Sequence, residues 1–390
     1  MLSTSKHIRR RESKHENENR IKQRTDKSIR ISDKERLQGV QTDHLRLVSS
    51  VLFLSLPQTA ALFADISGYT ALCEAVASKG AGGDEYLARH LNSYFEQMVK
   101  IMSSQGGDVL KFAGDAVIVL WPPSADEDLR TLTRRAAQCG LEIKRGLQNV
   151  KLAEGITLSV KIGVGVGEVS ILHVGGVFGR MEYVATDTCP RGPLGQAFDA
   201  EHHCEKPDVI ISPEAWELIR DYFEAEINDK HAFLKACAVP LKKISVFKTT
   251  SASRNIKEDV LKNVGKYVPS AVLPFISHHE EKWASELRRV TVLFVNLGLK
   301  EKDMNEIATN PQYIHVVHDV LQAVQTAVYK YEGSLNKFLM DDKGSTLVAV
   351  FGLPPLAHED DSVRGILSSL AICAKVSVHM NKHTAADCCE

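Results

Sequence analysis

The chain runs to 390 residues, enough for two domains of ordinary core size. With 48 Lys and Arg against 49 Asp and Glu, its formal charge of -1 excludes a nucleic-acid binder that works through bulk positive charge. The 8 cysteines, at 73, 139, 189, 204, 237, 373, 388 and 389, show no Cys-x-x-Cys spacing, so neither a zinc scaffold nor a disulfide framework is expected, and a reducing cytosol fits.

Residues 1–45 are dense in Lys, Arg, Glu, Asn and Ser, with almost no aromatic residues. Such a segment cannot bury enough apolar area to offset its ordering entropy, so a disordered polar and basic tail is expected. Arg9-Arg10-Arg11 reads as part of that solvated tail, because acidic residues interrupt the basic ones; a nuclear signal or a lipid-surface contact is the alternative. The uncharged window from Leu47 to Ala64 is broken by Ser49, Ser50, Ser55, Pro57, Gln58 and Thr59. It is too polar for a membrane span, and the basic segment before it is too long and charged for an ordinary signal peptide.

The first core strand is predicted over Thr59 to Ile66, ending at Asp65 before a tight turn at Gly68. A helix follows from Tyr69 to Val76, with Thr70 at its start. A longer helix is predicted from Asp84 to Met102, where Tyr86, Leu87, Leu91, Tyr94, Phe95, Met98 and Ile101 recur at helical spacing. Gly82-Gly83-Asp84-Glu85-Tyr86 imitates a diguanylate cyclase signature, but at a helix start it reads as a cap with Asp84 in place. Gly106-Gly107 turns the chain into a hairpin, Val109–Phe112 and Ala116–Trp121, closed by Pro122-Pro123. Leu129 to Leu147 is an amphipathic helix. Leu158 to Val166 alternates as a strand with Lys161 on its polar face, and Val169 to Val174 pairs as a further strand. Val209 to Ser212 with Pro213 opens a closing strand–helix unit. The order is βαββαβ with additions: an α+β sandwich of predominantly antiparallel sheet with one face covered.

Two carboxylates at strand ends of one sheet, Asp65 and Asp115, suit divalent cations that take oxygen ligands. The backbone N–H groups of Ile66–Thr70 and the positive end of the next helix suit a polyphosphate. The alternative for both acids is turn formation and capping alone.

Residues 251–287 hold no clear period and read as a linker. Beyond it, Arg289-Val290-Thr291-Val292-Leu293-Phe294-Val295-Asn296 repeats the first strand, and a helical stretch runs from Tyr313 to Tyr331. Gly333-Ser334-Leu335-Asn336-Lys337-Phe338-Leu339-Met340-Asp341 repeats Gly107 to Asp115, and Val348 to Pro354 repeats the approach to Trp121-Pro122. Lys111 and Lys337 are 226 residues apart, and Phe63 and Phe294 are 231 apart, so two copies of one domain are expected, over 46–250 and 288–390. The copies differ at the acids. Asn296 stands for Asp65, and Met340-Asp341 stands for Gly114-Asp115, so the second copy should not hold the metal pair.

The runs Phe63-Ala64-Asp65-Ile66-Ser67-Gly68-Tyr69-Thr70 and Gly107-Asp108-Val109-Leu110-Lys111-Phe112-Ala113-Gly114-Asp115 together resemble the signature of the class III nucleotidyl cyclases. The variant Leu110 to Ala116, with Trp121 shortly after, is most similar to the bicarbonate-responsive soluble adenylyl cyclases of animals. The resemblance implies two tandem ferredoxin-like cyclase domains forming a pseudo-dimer with a single productive site at their interface. It implies two Mg²⁺ ions, replaceable by Mn²⁺, bridged by Asp65 and Asp115 with the Ile66 carbonyl as a further ligand. ATP would be held by Asp65, Ile66, Ser67, Gly68, Tyr69, Thr70, Asp115, Lys161 and Lys337, and converted to cyclic AMP and pyrophosphate in intracellular signalling. The resemblance has Lys161 reach the phosphates, against a solvated strand lysine. Lys337 would read the adenine edge, against a structural lysine, and it favours ATP over GTP.

In these relatives the lysine matching Lys111 holds bicarbonate together with an Arg on a later helix, which should follow Gly195-Gln196-Ala197-Phe198-Asp199. Here the chain continues Ala200-Glu201-His202-His203-Cys204 with no Arg, and one lysine without its guanidinium partner makes a poor bicarbonate site. His202-His203, lacking Cys or carboxylate partners at fitting spacing, read as solvated or capping histidines. The second copy stops near Val376 to Met380, where the family places a Gly-rich strand and a helix carrying an Asn and an Arg. An incomplete second copy would leave an open sheet edge. The alternative function is therefore a catalytically silent cyclase-homology module that binds nucleotide or a partner cyclase; a guanylyl cyclase is a third, weakened by Lys337.

Overall fold

The structure, a computed structural model, describes residues 45–48, 51–77, 83–124, 126–153, 156–189, 191–205, 207–244, 262–273, 288–297, 311–341 and 344–386. The tail before residue 45, with Arg9 to Arg11, lies outside them, as do most of the expected linker and residues 387–390.

The first strand, β1, is Val51–Ser67, longer than the pattern predicts. Its early half is also strand because Leu52–Leu56 pairs with Val169–His173 of β5, across a bulge at Pro57-Gln58, where Gln58 adopts φ 55°. β5 is a single strand, Ile156–Gly175, so the separate strand expected over Val169 to Val174 is its continuation. The break at Gly167-Glu168 does not turn the chain, since the extra residue in β1 keeps the ladder in register on both sides. Between them come α1 (Tyr69–Ala77), α2 (Gly83–Ser104), β2 (Asp108–Ala113), β3 (Ala116–Trp121), α3 (Leu129–Leu147) and the short β4 (Val150–Ala153). α2 starts at Gly83, which places Asp84 inside its first turn and not at the cap. After β5 follow β6 (Met181–Asp187), α4 (Pro193–His202), β7 (Val209–Ile211), α5 (Pro213–Ile219) and a hairpin of β8 (Phe223–Asn228) and β9 (His231–Cys237). The main path of the sheet is β2-β3-β1-β5-β7-β9-β8, antiparallel except between β5 and β7.

Alternation along β1 sends Ala60, Leu62, Ala64 and Ile66 into a core with Tyr94, Met98 and Met102 of α2 and Ala136, Ile143 and Leu147 of α3. Each fully buried large side chain there contributes about 1.5–3 kcal/mol. Buried polar tips are satisfied: the Tyr94 hydroxyl donates to Leu147 O at 3.1 Å and the Trp121 indole to Gln105 O at 2.9 Å.

The opposite face is covered as well, which corrects the one-sided sandwich. Ala61, Ile118, Leu120 and Val169 pack on Leu194 and Phe198 of α4. The face that carries Lys161 looked polar because it continues as Gly163 and Gly165. Those glycines receive the helix backbone: a Cβ on Gly163 would stand 1.9 Å from Ala197 O, and one on Gly165 2.3 Å from Pro193 O.

The second copy forms its own sheet, in the order β10 (Thr291–Asn296), β12 (Gly344–Phe351), β11 (Ser334–Asp341), with helices α6 (Pro311–Lys330) and α7 (Asp361–Ala386). The repeat extends to irregularities. The β2–β3 ladder slips between Val109 and Lys111, and the β11–β12 ladder slips at the matching place, between Leu335 and Lys337. Among the described residues β10 pairs only with β12, and its Phe294 is 75% exposed.

One apolar cluster draws on both copies: Val51, Phe53, Leu172, Val174 and Val184 pack with Val317, Leu321, Val324 and Phe338. Beside it Gln325 of α6, fully buried, accepts from Val177 N at 3.2 Å and donates to Arg180 O at 3.1 Å. The described part of the 251–287 stretch is tied down too: Arg180 donates to Gly265 O at 3.0 Å, and the Tyr267 hydroxyl meets His173 Nδ1 at 2.8 Å. No helix of the described residues is long and apolar enough to cross a membrane.

Candidate active site

Asp65 lies one strand position before Ile66 and is paired in register with Ala116 of β3 on one side and Lys161 of β5 on the other. Directly opposed residues share a sheet face, so Asp65 and Lys161 stand together on the face that α4 covers farther along. Asp115 sits in the two-residue turn between β2 and β3, immediately before Ala116, after Gly114 at φ 72°. Nothing lies within 4 Å of where a Gly114 Cβ would be, so that glycine answers to the dihedral alone. The register brings the α-carbons of Asp65 and Asp115 to roughly 6 Å of one another, by ordinary strand spacings. Both side chains are half-buried.

The turn after β1 is shaped by Gly68. Its φ is 92°, and a Cβ there would stand 2.6 Å from Thr157 O. The Leu72 N–H donates to Gly68 O at 3.0 Å and starts α1. The N–H groups of the first turn of such a helix have no intrahelical acceptor. Ile66 is buried, Ser67, Gly68 and Tyr69 are half-buried, and Thr70 is exposed. Burial raises the Tyr69 hydroxyl above its ordinary pKa, with contributions from Cys73 and from the negative field of Asp115.

Two lysines come from matching strands of the two copies. Burial pulls the Lys337 ammonium below its usual range, while Asp115 of the first copy acts against that shift. Lys337 of the second copy thus lies in the field of the first copy's acid. Lys111 donates Nζ to Phe338 O at 2.6 Å and to Tyr183 O at 3.4 Å, and stands 4.5 Å above the centre of the Tyr183 ring. Burial lowers its pKa to about 8, Lys337 pushes the same way, and Glu182 opposes. Burial raises Glu182 to about 7, with Lys111 opposing. The cleft around Lys111 is lined by Leu110, Ile118, Tyr183, Leu194 and Phe338, and among the described residues no arginine lines it.

Gly195 to Asp199 lie inside α4, not ahead of it, because Pro193 at its first turn starts the helix early. The cap comes from Asp187, whose carboxylate accepts from Leu194 N at 3.0 Å and Gly195 N at 2.7 Å. Sequence reasoning missed this acid, and also Glu182 and Tyr183 beside Lys111. The β-branched and aromatic run Tyr183-Val184-Ala185-Thr186 within Met181–Asp187 was the available strand signal.

Residues 55–189 match the adenylate and guanylate cyclase catalytic domain family. With the paired acids, the glycine turn and the sheet order in place, residues 55–189 carry a cyclase catalytic domain of the class III type. Within that class it is similar to adenylate cyclase type 10: 30% identical to the Rattus norvegicus protein over 343 residues, 80% of this chain and 20% of the relative. The Homo sapiens protein is 30% identical over 327 residues, covering 75% and 19%. The chain thus spans about a fifth of the length of the curated relatives it matches. In fold it is similar to a class III adenylyl cyclase-like ATP-binding protein from Pseudomonas aeruginosa, with TM-score 0.54, 14% identity, and coverage of 86% of this chain and 72% of that one.

Proposed function

We propose that this chain is a soluble adenylyl cyclase, or the part of one that carries the cyclase chemistry, converting Mg-ATP to 3′,5′-cyclic AMP and pyrophosphate. The observation that carries it is the placement of Asp115 beside Asp65 in the first copy and within the field of Lys337 from the second. The two copies, over 46–250 and 288–390, then act as a pseudo-dimer with one productive site between them. Similarity to adenylate cyclase type 10 supports the substrate, and a cytoplasmic setting is part of the same proposal.

The residues fit a magnesium pair. Two half-buried carboxylates on neighbouring strand ends offer hard oxygen donors, and the Ile66 carbonyl is the next acceptor along the chain. Asp65, Asp115 and the Ile66 carbonyl would hold the metal, which would supply a lowered pKa for the ribose 3′-hydroxyl and charge neutralisation for the triphosphate. The first turn of α1, from Ser67 to Thr70, receives phosphate oxygens on its N–H groups and dipole. Lys161, opposite Asp65, extends toward the same phosphates. Lys337 reads the adenine edge, its desolvation strengthening that contact. Asn296 and Met340 give the second copy no matching acid pair. Bicarbonate at Lys111 draws less support, since its ammonium already donates to two carbonyls and lacks a guanidinium partner.

A second reading, a nucleotide-binding module without turnover, is favoured by α7. Its single arginine, Arg364, is held by Asp360 at 2.7 Å and Glu332 at 2.5 Å, so it is not available to stabilise a transition state. Purified chain with Mn-ATP and Mn-GTP separates the readings. Cyclic AMP from ATP, lost by about 100-fold or more in Asp65→Asn with ATP binding retained, supports the cyclase. Nucleotide binding without product from either substrate establishes the silent module.

A further inference from the structure

Away from the cyclase acids, an i,i+4 pair at the end of α4 meets a histidine remote in sequence. Asp199 and His203 are four residues apart on its last turn, so they share a helix face. His231 opens β9, opposite Asn228, after a turn in which Asp229 and Lys230 both adopt positive φ, 43° and 71°. That primed turn fixes where the imidazole emerges. The His231 Nε2 lies 3.2 Å from Asp199 Oδ2, the two imidazole centres are 4.2 Å apart, and one ligand atom from each of the three residues falls within 4.8 Å of the others.

Two features mark this as more than a surface cluster. His231 is only 5% exposed; its Nδ1 has no hydrogen bond, and its Nε2 has the Asp199 carboxylate beside it at 3.2 Å without a well-aligned hydrogen bond. Buried polar atoms without satisfied hydrogen bonds are costly, and Nε2 is directed at Asp199. His203 meets the main-chain oxygen of Asp199 through Nδ1 at 2.7 Å. A carbonyl only accepts, so the proton sits on Nδ1 and the lone pair of Nε2 is free. Metal-bound histidines are oriented by this kind of contact.

The geometry points to a transition-metal site of the zinc class at Asp199, His203 and His231, with water completing the coordination. This goes beyond the proposed cyclase reading and does not depend on it. Two imidazoles and one carboxylate suit Zn²⁺ and disfavour Mg²⁺ and Ca²⁺, which take oxygen ligands. Tetrahedral bonds of about 2.0–2.1 Å require ligand atoms roughly 3.4 Å apart. The side chains of Asp199 and His203 are 57% and 40% exposed, so small rotations bring them that close while His231 stays fixed. The negative end of α4 adds favourable potential. The site lies three strands from Asp65 in the sheet, roughly 14 Å across, and is separate from the magnesium ligands. Its effect is to clamp the end of α4 to the β8–β9 hairpin.

The test uses the full chain stripped with chelator. Zn²⁺ is titrated in competition with a chromophoric chelator, and Co²⁺ is followed through its visible tetrahedral bands. One equivalent per chain is expected, with affinity lowered by about 100-fold or more in His231→Gln and the cobalt bands lost. Because that change alters a buried side chain, Asp199→Asn and His203→Gln, both at exposed positions, test the same claim; each should weaken binding at least about ten-fold in a chain that melts normally. Absence of saturable zinc binding at micromolar protein, or binding that persists in all three variants, overturns the site.

Discussion

Lys111 of β2 donates its ammonium to the main-chain oxygen of Phe338 in β11 at 2.6 Å, a bond between residues 227 positions apart that joins the two copies. Phe338 directly follows Lys337, the repeat partner of Lys111. Each copy therefore presents the same lysine position to the other, but to different ends. Lys111 is consumed by carbonyls, and Lys337 faces an acid.

The Lys111–Glu182 pair makes stability depend on pH in two windows. Glu182 has its folded pKa raised from 4.5 to about 7, so the folded state binds the extra proton and stability falls as pH rises through that range. Lys111 has its folded pKa lowered from 10.5 to about 8, so there the unfolded state binds the extra proton and stability rises between those values. Melting temperature against pH should pass through a trough near pH 7 to 8. Glu182→Gln should remove the acid limb of the trough and Lys111→Met the alkaline limb.

Two glycine substitutions should have opposite signs. Gly163→Ala drives a Cβ into Ala197 O and must displace α4, at a cost of about 3 kcal/mol or more. Gly146→Ala, inside α3, meets Ile101 at an ordinary 3.6 Å and should stabilise by about 0.5–1 kcal/mol. Urea midpoints of the two variants decide it.

Gln325→Ala should loosen the junction between the copies. It strands the Val177 N–H, at a cost of about 1–3 kcal/mol if left unpaired, and removes one of two donors to the Arg180 carbonyl, which keeps the Gly176 N–H at 2.7 Å. Faster limited proteolysis near Gly175 to Arg180, together with a lower urea midpoint, is the expected result.

If the cyclase reading holds, Lys337→Met should raise the KM for ATP about ten-fold while narrowing the preference for ATP over GTP, since a desolvated charged contact is worth about 1.5–3 kcal/mol. Steady-state kinetics on both nucleotides measure it.

Much of the first copy was legible from local pattern. Asp65 and Asp115 could be placed at strand ends because a period of two, a glycine at positive φ and a two-residue turn are local properties. The repeat was legible for the same reason, down to the lysines that sit at matching ladder slips. Period failed where partners were remote. A strand that continues through Gly167 looks like two strands, since only the bulge in β1 shows that the ladder is unbroken. The glycines beside Lys161 look solvent-facing until α4 lies on them.

Chain order alone carried the internal sequence repeat, the asymmetry of acid against amide at Asp65 and Asn296, and the expectation of metal-assisted chemistry in the first copy. Packing decided the rest: that Lys111 is spent on Phe338, that Asp115 feels Lys337, and that His231 meets Asp199 and His203. The physical reason is range. Backbone dihedrals and side-chain period act over a few residues, whereas burial, desolvation and charge pairing act between groups that only the folded chain makes neighbours.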